Sequence, residues 1–156
     1  VRFDGSYWAT VASEPRDISN DPSPSSTVTG ASVAIATRER ALEVAADIGD
    51  ALGVEALGVT MDVTDHEQVG AGIRRVLDWK GQIDIVVNNA GYPVDEYLWA
   101  TPLHEIPPGE VEPLFRKVYD VDLRGARNVT RAALPSMMQR ESGVFVFVSS
   151  TPALAA

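Results

Sequence analysis

The stretch Ile83-Asp84-Ile85-Val86-Val87-Asn88-Asn89-Ala90-Gly91 decides how this chain is read. Residues 83–88 are mostly apolar, as expected of a strand buried on both faces of a sheet. A small polar turn follows at once. In open α/β sheets ligands bind beyond the carboxyl ends of the strands, so a strand that delivers Asn-Asn-Ala-Gly there is placed to hold one.

The neighbouring segments supply the other parts of such a sheet. Upstream, residues 65–80 set Val69, Ile73, Val76 and Leu77 on one side of a helix, and Thr64 and Glu67 have the spacing of a capping box. Asp62-Val63-Thr64-Asp65 reads as a turn rich in capping side chains, after a strand over residues 54–60. Residues 38–49 carry Ala41, Leu42, Val44, Ala45, Ala46 and Ile48 at helical spacing and end on Gly49. Residues 28–37 lean towards β-structure, interrupted by Gly30 and Ser32. Downstream, Pro93, Pro102, Pro107, Pro108 and Gly109 mark residues 92–110 as a loop with short helical pieces. A long helix is expected over 111–139, with Pro135 kinking it or ending its regular part. Val144-Phe145-Val146-Phe147-Val148 is a second near-continuous apolar strand, leading into Ser149-Ser150. Apolar strands alternating with amphipathic helices predict βαβ units and a parallel sheet covered on both faces. Residues 1–27 have no periodicity and many breakers. They read as a flexible arm ahead of a domain spanning 28–156.

Bulk properties exclude several function classes. The 156 residues fit one domain, and 45% hydrophobic with 22% charged residues is ordinary for a globular protein. A net charge of −9 argues against nucleic acid or an anionic membrane as a partner. No cysteine is present, which excludes disulfides and thiolate chemistry. No apolar run approaches the about 18 residues of a membrane span, and the first residues lack a signal-peptide core, so the expected location is cytoplasmic. His66 and His104 stand far apart in sequence and in no metal-spacing motif, so no metal site is expected.

Residue chemistry alone leaves paired alternatives. Asn88, Ala90 and Gly91 either wall a site for a flat ligand or form a structural strand-to-loop turn. Asp62 either accepts a hydrogen bond from a ligand amine or caps the next helix. Arg38, after the strand-like Val33-Ala34-Ile35-Ala36-Thr37, either meets a phosphate or stays solvated. Ser149 and Ser150 end the last strand with no histidine placed by sequence to activate them.

In this order the pieces resemble the classical short-chain dehydrogenase/reductase family over residues 28–156. Asn88-Asn89-Ala90-Gly91 is similar to the family's Asn-Asn-Ala-Gly motif, which lines the cofactor site. Asp62-Val63 resembles its Asp-Val pair, whose aspartate meets the adenine ring, and Thr29-Gly30 the opening of its phosphate-binding motif. Arg38 resembles the basic residue that recognises the 2′-phosphate of NADP. No acidic residue stands there to meet a free ribose, so the resemblance implies NADP(H) rather than NAD(H). Ser150 falls where the catalytic serine is expected, and Asp122 in Val121-Asp122-Leu123 where the family has a catalytic asparagine. The resemblance implies hydride transfer between nicotinamide and a small carbonyl or secondary alcohol, with assembly into a homo-oligomer open.

Three departures shape the expectations. Only seven residues separate Gly30 from Arg38, whereas a parallel crossover needs about a dozen or more. Residues 28–37 therefore supply one strand where the family has two with a helix between. Aspartate at 122 replaces an amide, keeping an acceptor but losing a donor when ionised. None of Tyr7, Tyr92, Tyr97 and Tyr119 has a lysine four positions on, so the family's Tyr-x-x-x-Lys proton-transfer pair is absent from these residues. The expected fold is a partial Rossmann-like three-layer α/β/α arrangement with a mostly parallel sheet, lacking an early βα portion and the C-terminal strands. If residues 28–37 fill the second strand position, the central position is empty; if they fill the central one, the outer helix and strand lose their neighbour. The functional expectation is an oxidoreductase-family chain inactive in these 156 residues, the alternative a non-catalytic nucleotide-binding or protein-interaction fragment.

Overall fold

The computed structural model describes residues 9–13, 31–36, 40–92 and 101–149. Its five strands are β1 (Ala9–Ser13), β2 (Ala31–Ala36), β3 (Ala56–Thr60), β4 (Ile85–Asn88) and β5 (Val144–Phe147). They form one sheet in the order β3-β2-β1-β4-β5. The helices are α1 (Arg40–Leu52), α2 (His66–Lys80), α3 (Pro108–Val118) and α4 (Ala126–Gln139). A π-helical segment, Tyr119–Gly125, joins α3 to α4 without a break.

The segment 28–37 yields one strand, and it takes the position beside β3, paired in parallel from Ser32 opposite Ala56 to Ala36 opposite Thr60. The central position is not empty. It holds β1, antiparallel to β2 on one edge and to β4 on the other. This corrects the reading of the first 27 residues as an arm without regular structure, as far as Ala9–Ser13 is concerned. The physical reason is the backbone: flanked by β2 and β4, an unfilled slot leaves two facing rows of N–H and C=O groups without partners. Five residues of modest β-propensity suffice when both their edges are paired. β4 and β5 are parallel, from Ile85 opposite Val144 to Asn88 opposite Phe147.

Helices cover the two faces unequally. Gly58 of β3 lies under α1, where an added Cβ would stand 2.6 Å from the carbonyl oxygen of Ala41. The next residue, Val59, points the other way, towards Gly72 of α2. α1 therefore lies on one face and α2, packed against α4, on the other. The main core is on the second face, where Val59, Val69, Ile73, Val76, Val86 and Val129 are almost fully buried. Val144 and Val146, on the α1 side of β5, are exposed.

Capping sets the ends of α2, one residue away from the expected box. Asp65, not Thr64, is the N-cap: its Oδ1 accepts from the backbone N–H of Glu67 at 2.9 Å and of Gln68 at 3.2 Å. Thr64 instead donates its N–H to Asp62 Oδ1 at 2.8 Å, so two acidic side chains share the turn. Gln68 reaches back to Asp65 Oδ2 at 2.9 Å, and these hydrogen bonds hold the Asp65 carboxyl below its usual range. Gly81 closes the helix at φ 75°, a left-handed conformation natural to glycine. The long helix starts earlier than expected, because Pro108 is tolerated in a first turn whose N–H groups have no helical partner. Pro135 does not end it. That residue is exposed, so its lost hydrogen bond faces water rather than core.

Arg140 fastens the lower end of β4 and β5. Its guanidinium donates to Asp84 Oδ1 at 2.8 Å, to the Ile83 carbonyl at 2.7 Å and to the Ser142 carbonyl at 3.2 Å. Arg140→Ala is expected to cost about 2 kcal/mol of unfolding free energy, because charge-assisted bonds to half-buried partners are lost. Gly58→Ala is expected to cost about 1–3 kcal/mol by forcing α1 off the sheet. Urea denaturation followed by circular dichroism checks both.

Candidate functional site

The carboxyl ends of β3, β4 and β5 share one edge of the sheet, and a cavity of about 620 Å³ opens there beside α4. Asn88 and Ala90 from the end of β4 and Ser149 after β5 form its floor and one side. Helical rows form the opposite wall: Leu123, Arg127 and Arg131 recur at i, i+4, as do Ala126, Thr130 and Leu134. Phe147 and Val148 close the β5 side. The walls are mainly apolar, with a few hydroxyl, carboxyl and guanidinium groups at fixed places. That is the character of a small-molecule site.

Asn88 is a buried polar residue at the end of β4. Its Nδ2 donates to Thr130 Oγ1 at 3.3 Å, and its carbonyl accepts from the Val148 N–H at 2.9 Å. It thus ties β4 to α4 and to the end of β5, which gives the structural alternative for this residue a definite content. Ala90 faces the cavity directly. A Cβ on Gly91 would meet only Asp122 Oδ1, at 3.9 Å, so the glycine is not required by crowding.

Asp122 stands on the π-helical segment, a kind of distortion frequent at functional sites. Its Oδ1 accepts the Tyr92 N–H at 2.7 Å and so pins the turn that follows β4. Partial burial pushes the Asp122 carboxyl above its usual range, and the Tyr92 hydrogen bond opposes that shift. The same segment grips the turn after β3. A Cβ on Gly125 would come within 2.7 Å of Val63 Cγ2, so this close approach depends on glycine. Asn128 Nδ2 then donates to the Val63 carbonyl at 3.0 Å. One stretch of irregular helix therefore holds the turns after both β3 and β4.

Asp62 is exposed beside buried Val63, and its Oδ1 is engaged by Thr64 within its own turn. Neither residue lines the cavity. Thr29, Gly30, Arg38 and Ser150 lie outside the described residues. In chain order Arg38 follows the end of β2 at Ala36, on the cavity edge, whereas Thr29-Gly30 precede its start at Ala31. Thr130, Arg127 and Arg131 were not singled out from sequence. Their signal was a hydroxyl and two arginines on helical rows that also carry Leu123, Ala126 and Leu134. Among the described residues no group of three or more His, Asp or Glu could hold a metal ion, and no helix is long and apolar enough to cross a membrane.

Comparison with known proteins bears directly on this arrangement. The family model for short chain dehydrogenases matches residues 25–156. A short chain dehydrogenase of Pseudocercospora fijiensis is 36% identical over 130 residues, covering 80% of this chain and 38% of that protein. A solved 3-ketoacyl-ACP reductase from Sinorhizobium meliloti superposes with a TM-score of 0.59 at 33% identity, over 73% of this chain and 41% of its own. A gluconate 5-dehydrogenase from Burkholderia cenocepacia, solved in complex with NADP and tartrate, gives 0.56 at 30% identity, over 69% and 38%. The chain thus spans about two fifths of the length of these relatives. With a Rossmann-like sheet, a matching family model over most of its length and the Asn-Asn-Ala-Gly turn at the cavity edge, the chain belongs to the short-chain dehydrogenase/reductase family.

Proposed function

We propose that this chain forms the nucleotide-binding part of an NADP-dependent reductase or dehydrogenase acting on a small carbonyl or secondary alcohol. The observation that carries the reading is the convergence of Asn88, Ala90, Asp122 and Ser149 on one cavity at the carboxyl edge of β4 and β5. NADP(H) would supply the hydride. Asn88, Ala90 and Gly91 would wall its nicotinamide end, Asp62 and Val63 would lie by the adenine, and Arg38 would meet the 2′-phosphate. Ser150, next to cavity-lining Ser149, would orient the substrate oxygen.

The residues fit the two ends of such a dinucleotide better than its middle. β1 is antiparallel, so it starts at the cavity edge, with Ala9 opposite Asn88, instead of ending there in a glycine turn and helix. A helix N-terminus following the central strand, the usual cradle for a pyrophosphate, therefore has no counterpart among the described residues. These 156 residues also contain no Tyr-x-x-x-Lys to move the proton. Binding without turnover is the expected behaviour. The exposure of Leu123, Leu134, Phe147 and Val148 beside the cavity favours one second reading, a protein-interaction role for the same face.

Two measurements follow. Thermal melts of the 156-residue chain should show a cooperative transition that moves up with excess NADPH and less with NADH, since a ligand of the folded state must stabilise it. A transition indifferent to both would remove the cofactor reading. Asp122→Asn keeps the acceptor for the Tyr92 N–H and removes the charge. Because the folded state raises the Asp122 pKa, its ionisation disfavours folding once the pH passes the usual carboxylate range. The variant should melt higher than the parent at pH 7, and the difference should vanish on acidification below that range.

A further inference from the structure

We propose that the groove between β2 and β4 is a strand-acceptor site that takes residues 9–13 from a second copy of this chain as well as from its own. Four observations carry this, none of them involving the cofactor.

First, among the described strands β1 alone runs antiparallel to its neighbours: the β2–β3 and β4–β5 pairs are both parallel. The connections β2–β3, β3–β4 and β4–β5 each carry a helix. Second, β1 is paired on both edges, over five positions with β2 and four with β4, and its extensive contacts are with these two strands. The main-chain ladders to both neighbours are ones that any copy of the strand can form. Third, the sequence of the strand, Ala-Thr-Val-Ala-Ser, contains a single large apolar residue. Fourth, the covalent link is long. Ser13 and Ala31 are register partners, yet 17 residues separate them, where a hairpin needs about two to five. Fully extended, a link of that length reaches about 55–60 Å, enough to cross to a neighbouring molecule.

The ladders to β2 and β4 are the same in the closed and exchanged forms, so the proposal makes concentration the variable that sets the balance. A tether of this kind gives the strand an effective concentration on the order of 1 mM. The closed monomer then dominates at micromolar protein, and exchange becomes comparable as the protein approaches millimolar.

The full chain allows a direct test because it has no cysteine of its own. Thr10 is the register partner of Ala34 on one edge and of Val87 on the other. A chain carrying both Thr10→Cys and Ala34→Cys should close an internal disulfide under mild oxidation. A mixture of the Thr10→Cys chain with a size-tagged Ala34→Cys chain can form that bond only between molecules. The exposed α2 position Ala71→Cys serves as the encounter control, and Thr10→Cys with Val87→Cys repeats the experiment on the second edge. Non-reducing gels should show both register pairs cross-linking above the control, with heterodimer yield rising roughly ten- to a hundredfold between about 10 μM and about 1 mM protein. Internal closure with intermolecular yields no higher than the control would show that the groove accepts only its own strand. Failure of the double variant to close would show that residues 9–13 do not occupy the groove. Either result overturns the proposal, and neither bears on NADPH binding.

Discussion

The occupancy of one slot holds this sheet together. β2 and β4 flank a gap one strand wide, and strands about 4.8 Å apart cannot pair across twice that distance. Left open, the gap would strand two rows of backbone polar groups and break the sheet between the β2–β3 and β4–β5 pairs, leaving the α2–α4 layer to span them. Ala9–Ser13 closes it. The direction of that strand has a physical reason in the sequence. A parallel entry would need a crossover, usually a helix, between Ser13 and Ala31. Residues 20–26, Asn-Asp-Pro-Ser-Pro-Ser-Ser, are unsuited to a helix, whereas an antiparallel return asks only for a loop.

That direction also shapes the site. In a sheet whose central strand ends at the ligand edge, a turn and a helix N-terminus lie ready for phosphate. Here the central strand begins at that edge, and the polar groups that line the cavity come from the end of β4, the residue after β5, the π-helical segment and α4. The π-helical segment takes on much of the positioning. Through Asp122 it holds the turn after β4, and through Gly125 against Val63 it holds the turn after β3. The wider, irregular helical turn sets both groups towards the strand ends while α4 continues into the core through Val129, Ala133 and Met137.

The coverage of the sheet is lopsided for related reasons. Val86, Asn88 and Phe145 look towards α2 and α4, whereas Val144 and Val146 look away from them and remain exposed. Apolar strands of this kind are suited to burial on both faces. On the described residues, β5 has that composition and only one neighbour in the sheet.

Most of the element pattern was legible in the sequence, because periodicity is a local property. The face Val69, Ile73, Val76 and the runs 83–88 and 144–148 needed no partner to be recognised, and the Asn88–Gly91 turn marks the sheet edge where the cavity opens. The cap of α2 moved by one residue because Thr64, Asp65 and Glu67 all offer capping chemistry, and only the helix axis chooses among them. The sequence by itself determined the alternation of strands and helices, the shortage of residues for a first crossover, and the chemistry available at the strand ends. Tertiary structure alone decided that Ala-Thr-Val-Ala-Ser is a strand, that it runs antiparallel, and that Asp122, Thr130 and Ser149 meet across one cavity. Those outcomes depend on pairing between segments far apart in the chain, where unsatisfied backbone groups outweigh local propensity.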